Sequence, residues 1–235
     1  MYSMQGIVRK SVSNVTTQFE KLGYVANNLA NMNTKGYKTV TFEQMLNEEG
    51  YLTGAIRTDA RQGSIQVTSN PYDIAINGTG YIPVVSPEGE IAYTRDGAFK
   101  QGKDGYLVTT DGWIVGEGIK IPANCYKFEI KPNGEVFSYD AANTKPKKLG
   151  TIPLVRFASQ ENLEQKGMNK LVPTADSGEP MLVKNHDCIC QNNIENSNTN
   201  IYSSTSDMLR LNASLLASTR MMKVVDDMYN KAINI

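Results

Sequence analysis

Apolar residues near the start of the chain fall at Val8, Val12, Val15, Phe19, Leu22, Ala26 and Leu29, in alternating steps of four and three. This is the spacing of heptad a and d positions, and it predicts a helix from Gln5 to Asn31 with one narrow apolar stripe. The rhythm returns at the other end in Met208, Leu211, Leu215, Met222, Val225 and Tyr229, with Ser218 as the single polar intrusion. A helix with a narrow stripe and little core of its own is stabilised by burying that stripe against another helix. The partner is either the other terminal helix or a helix of a neighbouring molecule. Because the two stripes are terminal and separated by a domain of different pattern, assembly through both ends is the first functional expectation.

The first stripe stops abruptly. Asn27, Asn28, Asn31 and Asn33 crowd its end and Gly36 follows, residues that tolerate the left-handed backbone used to terminate helices. Residues 41–62 are weakly periodic and read as a connector with one short strand. From Gly63 the period becomes two, and turn dipeptides become dense: Asn77-Gly78, Asp96-Gly97, Asp104-Gly105, Asp111-Gly112 and Asn133-Gly134. Between them lie short runs suited to strands, among them Tyr81 to Val85, Tyr106 to Thr110, Phe128 to Ile130 and Ile152 to Phe157. Such spacing indicates an antiparallel β-domain. Residues 191–207 are rich in Asn, Ser and Thr, with Ser204-Thr205-Ser206-Asp207 available to cap the final helix. The expected fold class is α+β: a discontinuous terminal-helix coiled-coil domain (1–40 plus 195–235), a connector (41–62) and an inserted antiparallel all-β domain (63–194).

Composition narrows the function classes. A chain of 235 residues with 40% hydrophobic and 20% charged content can bury a real core. The 24 basic and 24 acidic side chains cancel, and no basic stripe appears, so nucleic acid is not an expected partner. No apolar run approaches the roughly 18 residues that a membrane span requires. Arg9 and Lys10 interrupt the start of the chain before the apolar region of a signal peptide could form, so no cleaved signal is expected. The odd cysteine count, with Cys188 and Cys190 only two apart, does not indicate a disulfide framework.

Candidate chemistry is sparse. His186 is the only histidine, which leaves little for a catalytic triad. His186, Cys188 and Cys190 alternate and could face one side of a strand as soft metal ligands, but a fourth ligand is missing and ordinary strand residues are the favoured reading. Asn77-Gly78-Thr79-Gly80 has Pro83 where a phosphate-binding loop needs its third glycine, so a hairpin or bulge is favoured. Asp96 and Asp111 could form a carboxylate pair, yet Asp before Gly is what a turn demands. Trp113 beside its turn reads as packing. No catalytic residue, cofactor, metal site or small-molecule substrate is expected. The alternatives to a structural protein are an enzyme or metal-binding protein on a β-scaffold, and a self-associating adhesin or phage-tail component.

The run from Val25 to Lys38, containing Asn27, Asn28, Leu29, Ala30, Asn31, Asn33, Thr34, Gly36 and Tyr37, resembles the N-terminal signature of bacterial flagellar basal-body rod and hook proteins. Asn70 to Tyr81 and Tyr93 to Phe99 are similar to the two signatures of that family's β-domain, and Ile194 to Asn200 resembles the element that leads into its terminal helix. The resemblance implies an axial subunit whose terminal helices join an inner coiled-coil tube around an export channel while the β-domain forms an outer layer. Its partners would be copies of itself, other rod proteins, hook-side or ring proteins of the basal body, and the flagellar type III export apparatus. Its place would be the periplasmic rod, reached without a cleaved signal peptide. The short 41–62 segment favours a proximal-rod-like over a distal-rod subunit, and a hook protein would need further outer domains. Thr219-Arg220 stands where the family usually carries Gln-Arg.

Overall fold

The computed structural model describes residues 4–48, 51–140, 143–184 and 186–233. Helix α1 spans Met4–Ala30 and helix α2 spans Ile201–Ile233, 27 and 33 residues respectively. At about 1.5 Å per residue these are rods of roughly 40 and 50 Å. Among the described residues, no helix is long and apolar enough to cross a membrane. The cap of α2 differs from the sequence expectation. Asn200 Oδ1 accepts the backbone N–H groups of Tyr202 and Ser203, so Ser204 to Asp207 lie inside the first turns rather than before them.

The chain forms two compact units. One gathers the described residues among 1–32, 40–57 and 199–235 and is therefore helical with one hairpin; the other gathers 33–39 and 58–198. In the helical unit, residues 8–11 of α1 and 222–229 of α2 line one groove, so the two helices run antiparallel. Residues 41–62, expected as a connector, carry a paired hairpin of strands β1 (Val40–Leu46) and β2 (Leu52–Thr58), and residues 40–57 cluster with the helices. Several contacts fasten the hairpin to α1. The Phe42 ring stacks on Tyr24 at 5.5 Å, Thr17 Oγ1 donates to the Leu52 carbonyl at 3.2 Å, and the buried Asn28 amide bonds both the Val40 carbonyl and its N–H. Asn28 thereby satisfies two backbone groups that a buried strand end would otherwise leave unpaired.

The second unit is antiparallel β throughout its pairings. Its largest sheet has seven strands in the order Glu164–Gln165, Lys170–Val172, Ile91–Thr94, Ile82–Val85, Ile114–Val115, Leu107–Val108 and Lys100–Gln101. A three-stranded sheet follows from Cys125–Ile130, Glu135–Asp140 and Asn143–Thr151. Short pairs join Ile189–Gln191 to Ile74–Ile76 and Asn193–Glu195 to Ile65–Val67, bringing the end of the unit back onto its beginning. The period-two pattern reappears in burial: along Ile82–Val85 and Glu135–Asp140, inner and outer residues alternate. Ile82, Val84, Leu107, Val115, Val136, Ile152 and Leu154 form the centre of one apolar core. Tyr81, Tyr93 and Phe157 anchor a second cluster, with ring centroids 4.9 to 6.0 Å apart in edge-on or T-shaped geometry.

Of the five turn dipeptides, the glycines at 78, 105, 112 and 134 have positive φ, and Gly97 does not. Gly97 is required for space: a Cβ there would lie 1.6 Å from the Ile74 carbonyl oxygen. Replacing Gly97 with Ala should therefore force the backbone at 74 and 97 apart and destabilise the β unit by about 3 kcal/mol, the upper end of overpacking costs. Urea unfolding checks this; a midpoint unchanged from the parent protein contradicts it.

Candidate functional site

Two features stand out as functional: the faces of the terminal helices, and a buried ion cluster where the resembling motifs meet. On α1 the heptad stripe divides into two columns. Val15, Leu22 and Leu29 are half-buried, whereas Val12, Phe19 and Ala26 are exposed, with Phe19 at 56%. Val8 is also exposed, at the groove it shares with α2. The buried α1 residues are Thr17, Gln18 and Asn28. At 100° per residue, Thr17 and Asn28 lie on the face opposite Val12 and Phe19, and they are the residues bonded to the hairpin. On α2 the stripe faces inward: Leu211 and Leu215 are buried, Met208, Ser218, Met222 and Val225 are half-buried, and only Tyr229 is exposed. A groove of about 700 Å³ between the helices is lined by Val8, Ser11, Met222, Val225, Asp226 and Tyr229. Outside its stripe, α2 also exposes Leu209, Leu216, Met221, Val224 and Met228.

The second feature is charged. Glu195, with no side-chain exposure, accepts Lys38 Nζ at 2.6 Å on Oε1 and Arg95 Nη1 at 2.9 Å on Oε2, and both cationic side chains are 2% exposed. The Gly63 N–H also donates to Oε1, Lys38 donates a second bond to the Arg61 carbonyl, and Arg95 donates to the carbonyls of Ile76 and Gly78. Burial draws the Lys38 ammonium below its ordinary pKa, with Glu195 pulling the other way. Nearby, Gly36 at φ +67° presses against the Arg95 backbone, where a Cβ would meet the carbonyl carbon at 2.5 Å, and its N–H donates to the Glu195 carbonyl. Tyr37 is buried, which raises its phenol pKa. Asn33 and Thr34 belong to the same turn, in which the Tyr37 N–H bonds the Thr34 carbonyl. Asn27, Asn31 and Ala30 stay with the end of α1, where the Asn31 amide and N–H both bond the Asn27 carbonyl.

Lys38, Arg95 and Glu195 were each inside a quoted motif, yet nothing in the sequence marks them as partners. Their separations along the chain are 157 and 100 residues from Glu195. The one available signal was that a carboxylate and two cations sit in three separate segments that resemble signatures of one family.

The remaining chemical candidates find structural roles. Among the described residues, no three His, Cys, Asp or Glu side chains converge as metal ligands, and Cys125, Cys188 and Cys190 are free thiols. In the Asn77 to Gly80 loop a Cβ on Gly80 would meet Leu154 Cδ2 at 2.0 Å, so the glycine admits the core. Asp111 pairs with the buried Lys170, whose ammonium lies over Trp113 at 4.7 Å from the ring centroid. Burial raises the Asp111 pKa, but Lys170 and the Thr109 hydroxyl outweigh it and hold the carboxyl below its usual range. Asp96 moves the other way, raised chiefly by burial, although its Oδ1 accepts the Ala98 N–H. The folded state thus holds the Asp96 proton more tightly than the unfolded chain, and stability falls as pH rises through that window. An Asp96→Asn substitution keeps the acceptor and removes the charge. It should raise Tm by a few degrees at pH 7 and leave it unchanged near pH 3, where both states are protonated; thermal melts at the two pH values decide.

Known families and proteins resemble the chain over the segments that carry these two features. The family described as "Flagellar hook protein FlgE/F/G D1 domain" matches residues 75–138, and that described as "Flagella basal body rod protein" matches residues 16–38. A flagellar basal-body rod protein FlgG of Caulobacter vibrioides is 32% identical over 196 residues, covering 73% of this chain and 75% of that protein. The FlgG of Bacillus subtilis is 34% identical over 185 residues, covering 67% and 69%. A flagellar hook protein FlgE of Brucella abortus is 37% identical over 127 residues, but these span only 32% of its length.

Proposed function

Because this chain belongs to the flagellar basal-body rod protein family, we propose that it polymerises through its terminal helices into the hollow drive shaft that transmits torque and passes exported subunits. Membership makes it a structural protein of the flagellar basal body rather than an enzyme, one that assembles with other axial and basal-body proteins. The finer reading rests on one observation. In the isolated chain α2 turns its stripe inward, while the Val12, Phe19 and Ala26 column of α1 and the Leu209, Leu216 and Val224 side of α2 remain in water. Helices apolar on more than one face are stabilised by burial inside a bundle, and a tube of packed copies supplies such a bundle. The assembly seams are then Val8, Val12, Val15, Phe19, Leu22, Ala26 and Leu29 on α1, and Met208, Leu211, Leu215, Met222, Val225 and Tyr229 on α2. The antiparallel pairing within the chain satisfies only part of these seams; the coiled-coil contacts of the tube complete them.

The subunit reaches the periplasmic rod through the flagellar type III apparatus, and its neighbours are copies of itself, other rod proteins, and hook-side or ring proteins. The compact hairpin at 40–58, in place of a long insertion, favours a proximal-rod-like position over a distal-rod one. The β unit serves as the outer layer, with the helical unit (expected from sequence as 1–40 plus 195–235) as the inner one.

Because Phe19 is exposed, Phe19→Asp should leave the monomer's melting temperature unchanged, yet abolish polymerisation in vitro and swimming in a strain carrying only the variant. Asp at Leu22 or Leu215 should also stop assembly, since a charge buried in a seam is costly, while circular dichroism still reports an intact β unit. Swimming cells bearing both Phe19→Asp and Leu215→Asp would refute the seam assignment. Limited proteolysis of the monomer should trim the helical termini first and leave a resistant fragment that ends near Asn198; termini as resistant as the β unit would count against ordering on assembly.

A further inference from the structure

Residues 193–198 make an unusual number of contacts for six residues. Besides its strand pairing to Ile65–Val67, this segment carries the carboxylate that neutralises Lys38 and Arg95. Its Asn198 Oδ1 accepts the Thr39 N–H at 2.7 Å, and Asn198 Nδ2 donates to the carbonyls of Asp59 and Arg61. Lys35 Nζ reaches Asn196 Oδ1 at 2.8 Å. Apart from the Arg95 pair, these bonds tie the segment to 33–39 or to 59–67, which also bond the β unit through neutral groups: Gln165 and Asn169 donate to the Lys38 and Lys35 carbonyls, and Gln62 bonds the Ile76 carbonyl and the Gly78 N–H. The apolar core, by contrast, is built from residues 74–154 together with Ile189 and does not use 193–198.

We propose that residues 193–198 are a clasp: the β unit binds this segment as an extended ligand, and only its arrival closes 33–39 and 59–67 onto the preformed core. The physical reason is the charge balance. Without Glu195, Lys38 and Arg95 are two buried cations that have lost their shared carboxylate, since Asp59, the other anion acting on Lys38, is already paired with Arg61, and such cations do not stay out of water. The stretches that carry them remain open until a carboxylate more than a hundred residues downstream of Gly63 docks beside it. A chain in which residues 193–235 have yet to emerge therefore has its core strands, while 33–39 and 59–67 are still open. The contacts lie within one unit of one molecule, so the clasp stands or falls independently of how copies assemble.

Pulse-labelling hydrogen exchange during refolding of the full-length monomer tests the order of closure directly. Amides of 33–39 and 59–67 should gain protection in the same late phase as 193–198, after those of 82–94 and 107–115. Protection of 33–39 and 59–67 together with or ahead of the core strands would overturn the clasp. In the folded state, Glu195→Gln keeps the acceptor oxygen and removes the charge. It should cut protection of 33–39 and 59–67 at least tenfold while leaving 82–94 unchanged; uniform loss across the unit, or no loss anywhere, speaks against it.

Discussion

One buried carboxylate ties the start of the β unit to its end. The Glu195 side chain has no solvent exposure, and among the described residues its two oxygens are the anionic partners of Lys38 and Arg95 at bonding distance. A buried ion cluster of this kind is weak evidence for stability as such, because desolvating three charges costs about as much as their attraction returns. Its effect is on uniqueness. A register slip of one residue in the short pair Asn193–Glu195 and Ile65–Val67 would move Glu195 to the other face and leave two cations unpaired. Three ladder positions cannot fix a register by apolar burial when every residue of Ile65–Val67 is exposed; the charges can. The same cluster fixes the turn at Gly36, whose N–H is claimed by the Glu195 carbonyl and whose missing side chain lets the Arg95 backbone approach.

How much of this was legible depends on the range of the interaction involved. The two terminal helices and the alternating strands were readable because period 3.5 and period two are local properties. α1 begins at Met4 and ends at Ala30, against an expected Gln5 to Asn31. Turn glycines were readable for the same reason, since positive φ is a requirement of one residue. Gly97 was misread because its need is a carbonyl from Ile74, which no local pattern announces. The hairpin at 40–58 was hard to read because its buried apolar side is short, Val40 and Phe42, and its other ties to α1 are backbone bonds to Thr17 and Asn28. The ion cluster was invisible because charge pairing across 157 residues has no sequence period at all.

The α1 helix illustrates how one sequence pattern can be correct and still not describe the isolated molecule. Its heptad column Val12, Phe19 and Ala26 is real, yet the residues buried against the hairpin are Thr17 and Asn28 on the opposite side. A polar face fits here because the hairpin presents carbonyl and N–H groups, and Thr and Asn side chains can satisfy them. The apolar column is thereby left for something else. Swapping the roles, with the hairpin on the apolar column, would bury the same backbone groups without partners, at roughly 1 to 3 kcal/mol each. Hydrogen-bond satisfaction decides which face the hairpin takes, and the hydrophobic surplus is what remains for assembly.

That surplus also bears on α2. Its inward residues, from Met208 to Val225, follow the expected steps of four and three, but Leu209, Leu216, Met221, Val224 and Met228 form a further apolar side in water. A monomer under selection only for its own solubility would place charges there, as the neutral composition with 24 cations and 24 anions could readily supply. Instead the charges are spent on local pairs such as Lys148 with Glu135 and Lys166 with Glu90 in the β unit. Among the described residues, many of the exposed large apolar side chains lie on these two helices, and this surface, which the monomer's own fold does not bury, is the one on which the proposed rod assembly would act.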